Sequence, residues 1–387
     1  MKVLNSLFSS VPGIILAGAV IGILAVFLQY SGNPPNMGIC VACFTRDIAG
    51  AIGLHRVAAV QYLRPEIAGL FLGSMLAALA AREWKPRGGS APLVRFVLGM
   101  LAMIGALVFL GCPWRAMLRL AGGDLNAIIG IVGLAAGVVI GSMYLKNGFH
   151  LGRSYAMPRA AGLILPGAML MLLGLLFMKT SFGEGQAIFT TAEGKGPGGL
   201  RALPLMSLGI AMAIGALAQR TRFCTVGAIR DAVLIRNFRL AIGVIALILA
   251  AFAVNLYLGT VNAGWAGQPI AHSNATWNFL GMALAGMAFV MAGGCPGRQL
   301  FLAGEGDADA AIFWFGMLAG AAISHNWMLA SVPDVVSADA ITMGGPGIYG
   351  KIAVIAGIVF CAALGSFARI PLYRDAPAAT CGSRNAA

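Results

Sequence analysis

The chain alternates long apolar runs with short polar connectors, and the length of the runs is the first thing that constrains it. Crossing the hydrocarbon core takes roughly 17–25 mostly apolar residues in a helix. Runs of that kind lie near 11–30, 60–82, 93–111, 125–146, 160–179, 204–219, 239–260, 278–294, 308–330 and 346–368. Their spacing predicts an all-α, polytopic transmembrane helical bundle. The first run is long and others follow it, so it is expected to stay as the first helix and not to be removed as a leader. The longest connector, 181–203, contains Gly194-Lys195-Gly196-Pro197-Gly198-Gly199. It lacks the Gly-Lys-Ser/Thr ending and the preceding strand of a phosphate loop, so it reads as a flexible linker.

Composition agrees with the pattern. Hydrophobic residues make up 59% of 387 positions and charged residues 10%, too few to clothe a water-soluble core of this size. The 54 glycines and 19 methionines are spread through the apolar runs, as close helix packing in lipid favours. The net charge of +13 would suit nucleic acid, but Lys and Arg sit in short clusters between runs, where membrane orientation explains them; no nucleic-acid partner is expected. Arg82, Lys85, Arg87 and Arg95 flank one connector, Lys146, Arg153 and Arg159 a second, and Arg220, Arg222, Arg230, Arg236 and Arg239 a third. All three fall on one side, while connectors 261–277 and 331–345 carry neither Lys nor Arg. The lysines and arginines therefore place both termini in the cytoplasm, with the protein in the cell's inner membrane. Arg46, Arg56, Arg115 and Arg119 fall on the external side and require another explanation.

The cysteines reveal an internal duplication. Cys40 opens Cys-Val-Ala-Cys-Phe-Thr-Arg46-Asp47 and Cys224 opens Cys-Thr-Val-Gly-Ala-Ile-Arg230-Asp231, both C-x5-R-D. Gly111-Cys112-Pro113-Trp114-Arg115 runs to Gly123-Asp124 and Gly294-Cys295-Pro296-Gly297-Arg298 runs to Gly306-Asp307, both G-C-P-x-R-x7-G-D. The offsets, Cys40 to Cys224 and Cys112 to Cys295, are 184 and 183 residues. Each half holds an odd number of spans, so the second copy is expected to be inverted in the bilayer. The organisation expected is residues 1–180 as a first membrane repeat, 181–203 as a linker, 204–370 as a second, inverted repeat and 371–387 as a cytoplasmic tail.

In inverted repeats the transport site lies near the midplane, where interrupted helices leave backbone ends facing a cavity. Pro at the first helical position makes Cys112 and Cys295 expected N-caps of short re-entrant helices. A thiol there faces free backbone N–H groups and the positive end of the helix, an environment that attracts anions. Arg115 and Arg298 either add to that field or pair with Asp124 and Asp307. Arg46-Asp47 and Arg230-Asp231 are expected to be ion pairs that lock the short helices. Cys40 and Cys43 form a single C-x-x-C, which suits a redox pair better than half of a zinc site, since the four scattered histidines offer no partner. Cys361, inside the last span, reads as a packing residue, and Cys381 as a tail residue.

Arg222-Phe223-Cys224 with Arg230-Asp231, Ala292-Gly293-Gly294-Cys295 and Gly111-Cys112 resemble the signatures of the YeeE/YedE family of sulfur-transport membrane proteins, and the resemblance spans both halves. It implies an all-helical inverted repeat and uptake of thiosulfate or a related species along a line of cysteines, here Cys112, Cys224 and Cys295 with Cys40 next. The segment from Met37 to Asp47 resembles the YedE branch associated with selenium metabolism. The function expected is a permease importing a small sulfur- or selenium-containing species, with no cofactor, no bound metal and no enzymatic turnover. The rival is a membrane thiol oxidoreductase or sulfurtransferase that cycles Cys40 and Cys43. A soluble cytoplasmic sulfur-carrier protein is a partner compatible with transport.

Overall fold

The computed structural model describes residue 8 and residues 10–178, 188–337 and 340–367. Its first half contains α1 (Val11–Tyr30), α2 (Val41–Ala51), α3 (Pro65–Ala80), α4 (Pro92–Phe109), α5 (Pro113–Ala121), α6 (Asn126–Lys146) and α7 (Arg159–Met178). The second contains α8 (Pro204–Thr221), α9 (Thr225–Ile235), α10 (Arg239–Tyr257), α11 (Ala275–Ala292), α12 (Pro296–Gly304), α13 (Ala308–Asn326) and α14 (Ile348–Phe367). The order of long and short helices is the same in both. Proline sits in the first turn of α3, α4, α5, α8 and α12, where its missing N–H costs nothing and its fixed φ suits the helix. Two small antiparallel strand pairs fasten connectors: β1 (Arg87–Gly88) with β2 (Tyr155–Ala156), and β3 (Val335–Val336) with β4 (Ile341–Thr342).

Nine membrane-length apolar helical segments are found among the described residues, and the chain is a multi-pass membrane protein. The expected span at 204–219 forms α8 but is not one of the nine. Its last turn carries Gln219, Arg220 and Thr221, which dilutes the apolar run. The linker expected to be flexible is tied down over its described part. Thr191 donates its N–H to the Gln61 carbonyl at 2.7 Å, Arg64 donates to the carbonyls of Leu200 and Pro197 at 3.0 and 2.6 Å, and the Ala202 N–H reaches Asn33 at 3.0 Å. Glycine content alone missed this because the anchoring groups lie far away in sequence.

The halves interlock by exchanging partners. α3 packs on α8 and α10 on α1; α6 packs on α11 and α13 on α4; α4 and α11 meet each other. The glycines explain how closely. A Cβ on Gly133 would strike the Phe279 carbonyl and one on Gly137 the Ala283 carbonyl. In the other copy, Gly316 faces the Phe96 carbonyl and Gly320 the Met100 carbonyl in the same way. Each residue here lies 183 positions from its counterpart, so the contacts repeat as well as the sequence. Bare backbones let helices approach where apolar burial offers no drive between them.

Candidate functional site

Each of the four repeated cysteines starts a short helix. Cys40 and Cys224 are the N-caps of α2 and α9, their thiols accepting from the N–H of Cys43 at 3.4 Å and of Gly227 at 3.2 Å. Cys112 and Cys295 are the N-caps of α5 and α12, followed by proline and with no side-chain capping bond. The chain stops α4 and α11 just before them with a left-handed residue, Leu110 at φ 63° and Gly293 at φ 102°. Glycine adopts that conformation freely, whereas leucine stores strain in it. The glycine of G-C-P-x-R has a packing reason too: a Cβ on Gly111 would lie 2.8 Å from Arg115 Cδ, and one on Gly294 2.8 Å from Arg298 Cγ. The arginine stem folds back over the residue before the cysteine.

These caps bring the thiols together in pairs. Cys40 Sγ lies 3.7 Å from Cys112 Sγ, and Cys224 Sγ lies 3.7 Å from Cys295 Sγ. That is hydrogen-bond range for thiols and far beyond a disulfide of about 2.05 Å; all four are free and buried. Each pair joins the ends of two short helices, so two positive helix termini converge on it. Cys43 places its thiol 3.7 Å from the Leu110 carbonyl. Its counterpart in the second copy is Gly227. Cys361 is buried in α14, and Cys381 lies outside the described residues.

Of the two roles open to Arg115 and Arg298, the pairing with Asp124 and Asp307 is not taken. Arg115 does not pair with Asp124. It donates to the carbonyls of Leu110 and Ile270, and approaches Cys43 Sγ at 3.9 Å. It is 0% exposed and forms no ion pair with a carboxylate among the described residues. Asp124 takes Arg119 instead, at 2.6 Å, one helical turn further along α5 on the same face. Arg298 meets Glu305 at 3.4 Å, and Asp307 meets Arg87 at 2.9 Å. Asp307 also caps α13 through the Ala310 N–H, and Asp124 accepts from the Asn126 N–H beside the start of α6. Leu302 stands where the repeat would supply a second Arg119, so the copies cannot share one pairing.

Arg46 and Asp47 pair at 2.7 Å, and Arg64 joins the same carboxylate at 2.8 Å with every partner buried. Arg230 and Asp231 pair at 2.8 Å with side chains 34% and 21% exposed. Three of the four arginines that broke the charge rule are thereby explained. Arg46, Arg115 and Arg119 are buried and bound to carbonyls or carboxylates, while Arg56 is exposed with its guanidinium 4.1 Å from the Phe189 ring centre. A buried residue of this kind reports on the interior and not on membrane orientation.

Two features carried no sequence signal. His55 and His325 meet with ring centres 4.5 Å apart, although 270 positions separate them. Trp114, the variable residue of its G-C-P-x-R, reaches across to the second copy. Its ring lies 5.8 Å from Phe223 and 5.9 Å from Phe301.

Comparison with curated proteins finds no match to the chain. Residues 220–382 match a family described as sulphur transport. The matched region takes in Cys224, Arg230, Asp231, Cys295, Arg298 and Asp307, so the second thiol pair and its surrounding charges lie in the part of the chain that is similar to sulphur-transport proteins.

Proposed function

We propose that the protein is a permease that carries a small sulfur- or selenium-bearing anion, thiosulfate or a selenium counterpart, across the cell's inner membrane along Cys40, Cys112, Cys224 and Cys295. The observation that carries this reading is the pair of matched thiol contacts, each 3.7 Å and each at two helix N-termini. A thiol is a weak donor and a soft acceptor, so it can exchange hydrogen bonds with a terminal sulfur or selenium without a covalent step. Positive helix ends favour the anion. Buried Arg115, which has no carboxylate partner among the described residues, adds a cation that an anion beside the first pair would balance. Uncompensated buried charge is expensive, so occupancy would relieve it.

The repeats are read as inverted. The exchange of helix partners and the sidedness of the Lys- and Arg-rich connectors support that reading, with the two thiol-bearing helix pairs entering from opposite sides of the bilayer and both termini cytoplasmic. The cytoplasmic face then exposes Lys146, Arg153, Arg159, Arg222 and Arg236, a surface suited to a soluble sulfur-carrier protein. The segment from Met37 to Asp47 keeps the selenium compound among the candidate substrates.

The test is uptake of labelled thiosulfate, with a labelled selenium species alongside, into vesicles holding the purified protein. Cys112→Ala, Cys224→Ala and Cys295→Ala are each expected to abolish uptake while the protein still inserts. Normal uptake in all three removes the proposal. The enzyme reading has one observation in its favour, the C-x-x-C at the start of α2 with the Cys43 N–H on Cys40 Sγ. A mixed disulfide trapped at Cys43, with substrate converted in detergent, would establish it instead.

A further inference from the structure

One large side chain reaches from the helix that starts at the first thiol pair to residues that flank the second, and it carries a hydrogen-bond donor with no partner among the described residues. Trp114 follows Cys112 by two residues and lies in the first turn of α5. Its indole sits against Phe223, the residue before Cys224, and against Phe301 of α12. It also rests on Gly297, two residues after Cys295, where a Cβ would stand 3.4 Å from the indole Cε2 and Cζ2 atoms. The ring thus extends from the helix start that holds the first pair to the helix starts that hold the second. Trp114 is 1% exposed, and its Nε1 has no hydrogen-bond partner among the described residues.

The repeat makes the feature specific. Positions 114 and 297 are counterparts, yet one is tryptophan and the other glycine. The second copy gives up a side chain where the first supplies an indole. Packing alone would be met by phenylalanine, which fits beside Phe223 and Phe301 without burying an N–H. A buried donor left unpaired costs free energy, and such groups in a folded protein call for a reason. Arg115 Nε, in the same turn, is also buried and unpartnered. Two idle donors on one helix start, two and three residues after a paired thiol, match a ligand with a soft sulfur or selenium end and a hard oxygen end.

We infer that Trp114 is the specificity-determining residue of the passage: its ring closes the way between the two thiol pairs, and its N–H donates to an oxyanion oxygen of the substrate as the thiols hold the soft end. This rests on the transport reading above and adds the requirement that the substrate bear oxygen. An oxygen-free ion would leave the donor idle, and an oxyanion without a soft end would have no thiol contact to carry it past the closed ring.

Three measurements on protein reconstituted in vesicles test it. Trp114→Phe keeps an aromatic ring and removes the donor; its KM for thiosulfate should rise about tenfold, the effect of one hydrogen bond to a charged group, with the maximal rate near that of the parent. Trp114→Gly, which copies Gly297, should admit labelled sulfate that the parent excludes. In the parent, thiosulfate should change the indole fluorescence, and Trp114→Phe should lose that response. An unchanged KM in Trp114→Phe, or exclusion of sulfate by Trp114→Gly, overturns the inference while Cys112→Ala still tests the transport reading on its own. Absence of any fluorescence response in the parent overturns it even if the variants fail to fold. A parent that takes up no thiosulfate removes the transport reading and this inference with it.

Discussion

α2 and α9 begin alike and end differently. Both start on a cysteine cap, both put that thiol 3.7 Å from a second cysteine, and both carry Arg-Asp one and a half turns later. Yet α2 is buried along all of its 11 residues, while α9 is buried only over Thr225–Ala228. Asp47 is shared by two buried arginines and tied through Arg64 to the connector at Pro197 and Leu200. Asp231 has one half-exposed partner. The difference separates two jobs within one motif. The helix start holds the thiol and is the same in both copies; the Arg-Asp that follows is a buried lock in one and a surface pair in the other.

The largest way to break that distinction is at the thiols themselves. Cys112→Ala and Cys295→Ala should each abolish uptake although the helices capped by their partner cysteines differ in burial, whereas Cys361→Ala should leave it intact, as vesicle uptake would read. Equal loss in the first two shows that the starts are equivalent in function. The next effect separates the locks. Asp47→Ala strands Arg46 and Arg64 in the interior and should destabilise the protein by about 3–5 kcal/mol. Asp231→Ala should cost under about 1 kcal/mol, since its partner is solvated. Thermal unfolding of the two variants in detergent reads the contrast directly, and similar melting points would erase it.

A smaller effect is expected at Cys43, which occupies the place of Gly227. If the pairs carry the substrate, Cys43→Ala should reduce uptake by less than about tenfold, or ~1.4 kcal/mol. A complete loss would move the chemistry to the C-x-x-C. The smallest effect is pH dependence at the far end of α2, where His55 packs on His325. Burial lowers the His55 imidazole below its ordinary value of 6.5. Below that pH the unfolded chain binds the proton more readily than the folded one, so stability falls as pH drops through 6.5 toward the depressed value. The melting temperature should therefore decrease from pH 7 to pH 5, and His55→Gln should reduce the decrease.

Much of this was legible in the residues. The apolar runs gave the helices, because a segment in lipid must satisfy its own backbone and must therefore be helical over a fixed length. The repeated C-x5-R-D and G-C-P-x-R gave the duplication, and proline after Cys112 and Cys295 gave their place at helix starts, since capping is decided within one turn of chain. The partners of Arg115 and Arg298 were not legible. Asp124 and Asp307 stand at the same offset in both copies, but Arg119 has no counterpart at Leu302, and Arg87 comes from a connector in the other half. Nor was Trp114 legible, one aromatic residue among many in an apolar chain, nor the meeting of His55 with His325.

Local rules, acting over a turn of helix or the thickness of a bilayer, thus set the spans, the caps and the repeat from the sequence alone. Which thiol faces which, which arginine finds which carboxylate and where the indole lies depend on helices far apart in the chain that approach through bare glycine backbone. Those distances are fixed only when the two halves pack together, because a contact between distant segments has no energy until both have been brought to the same place.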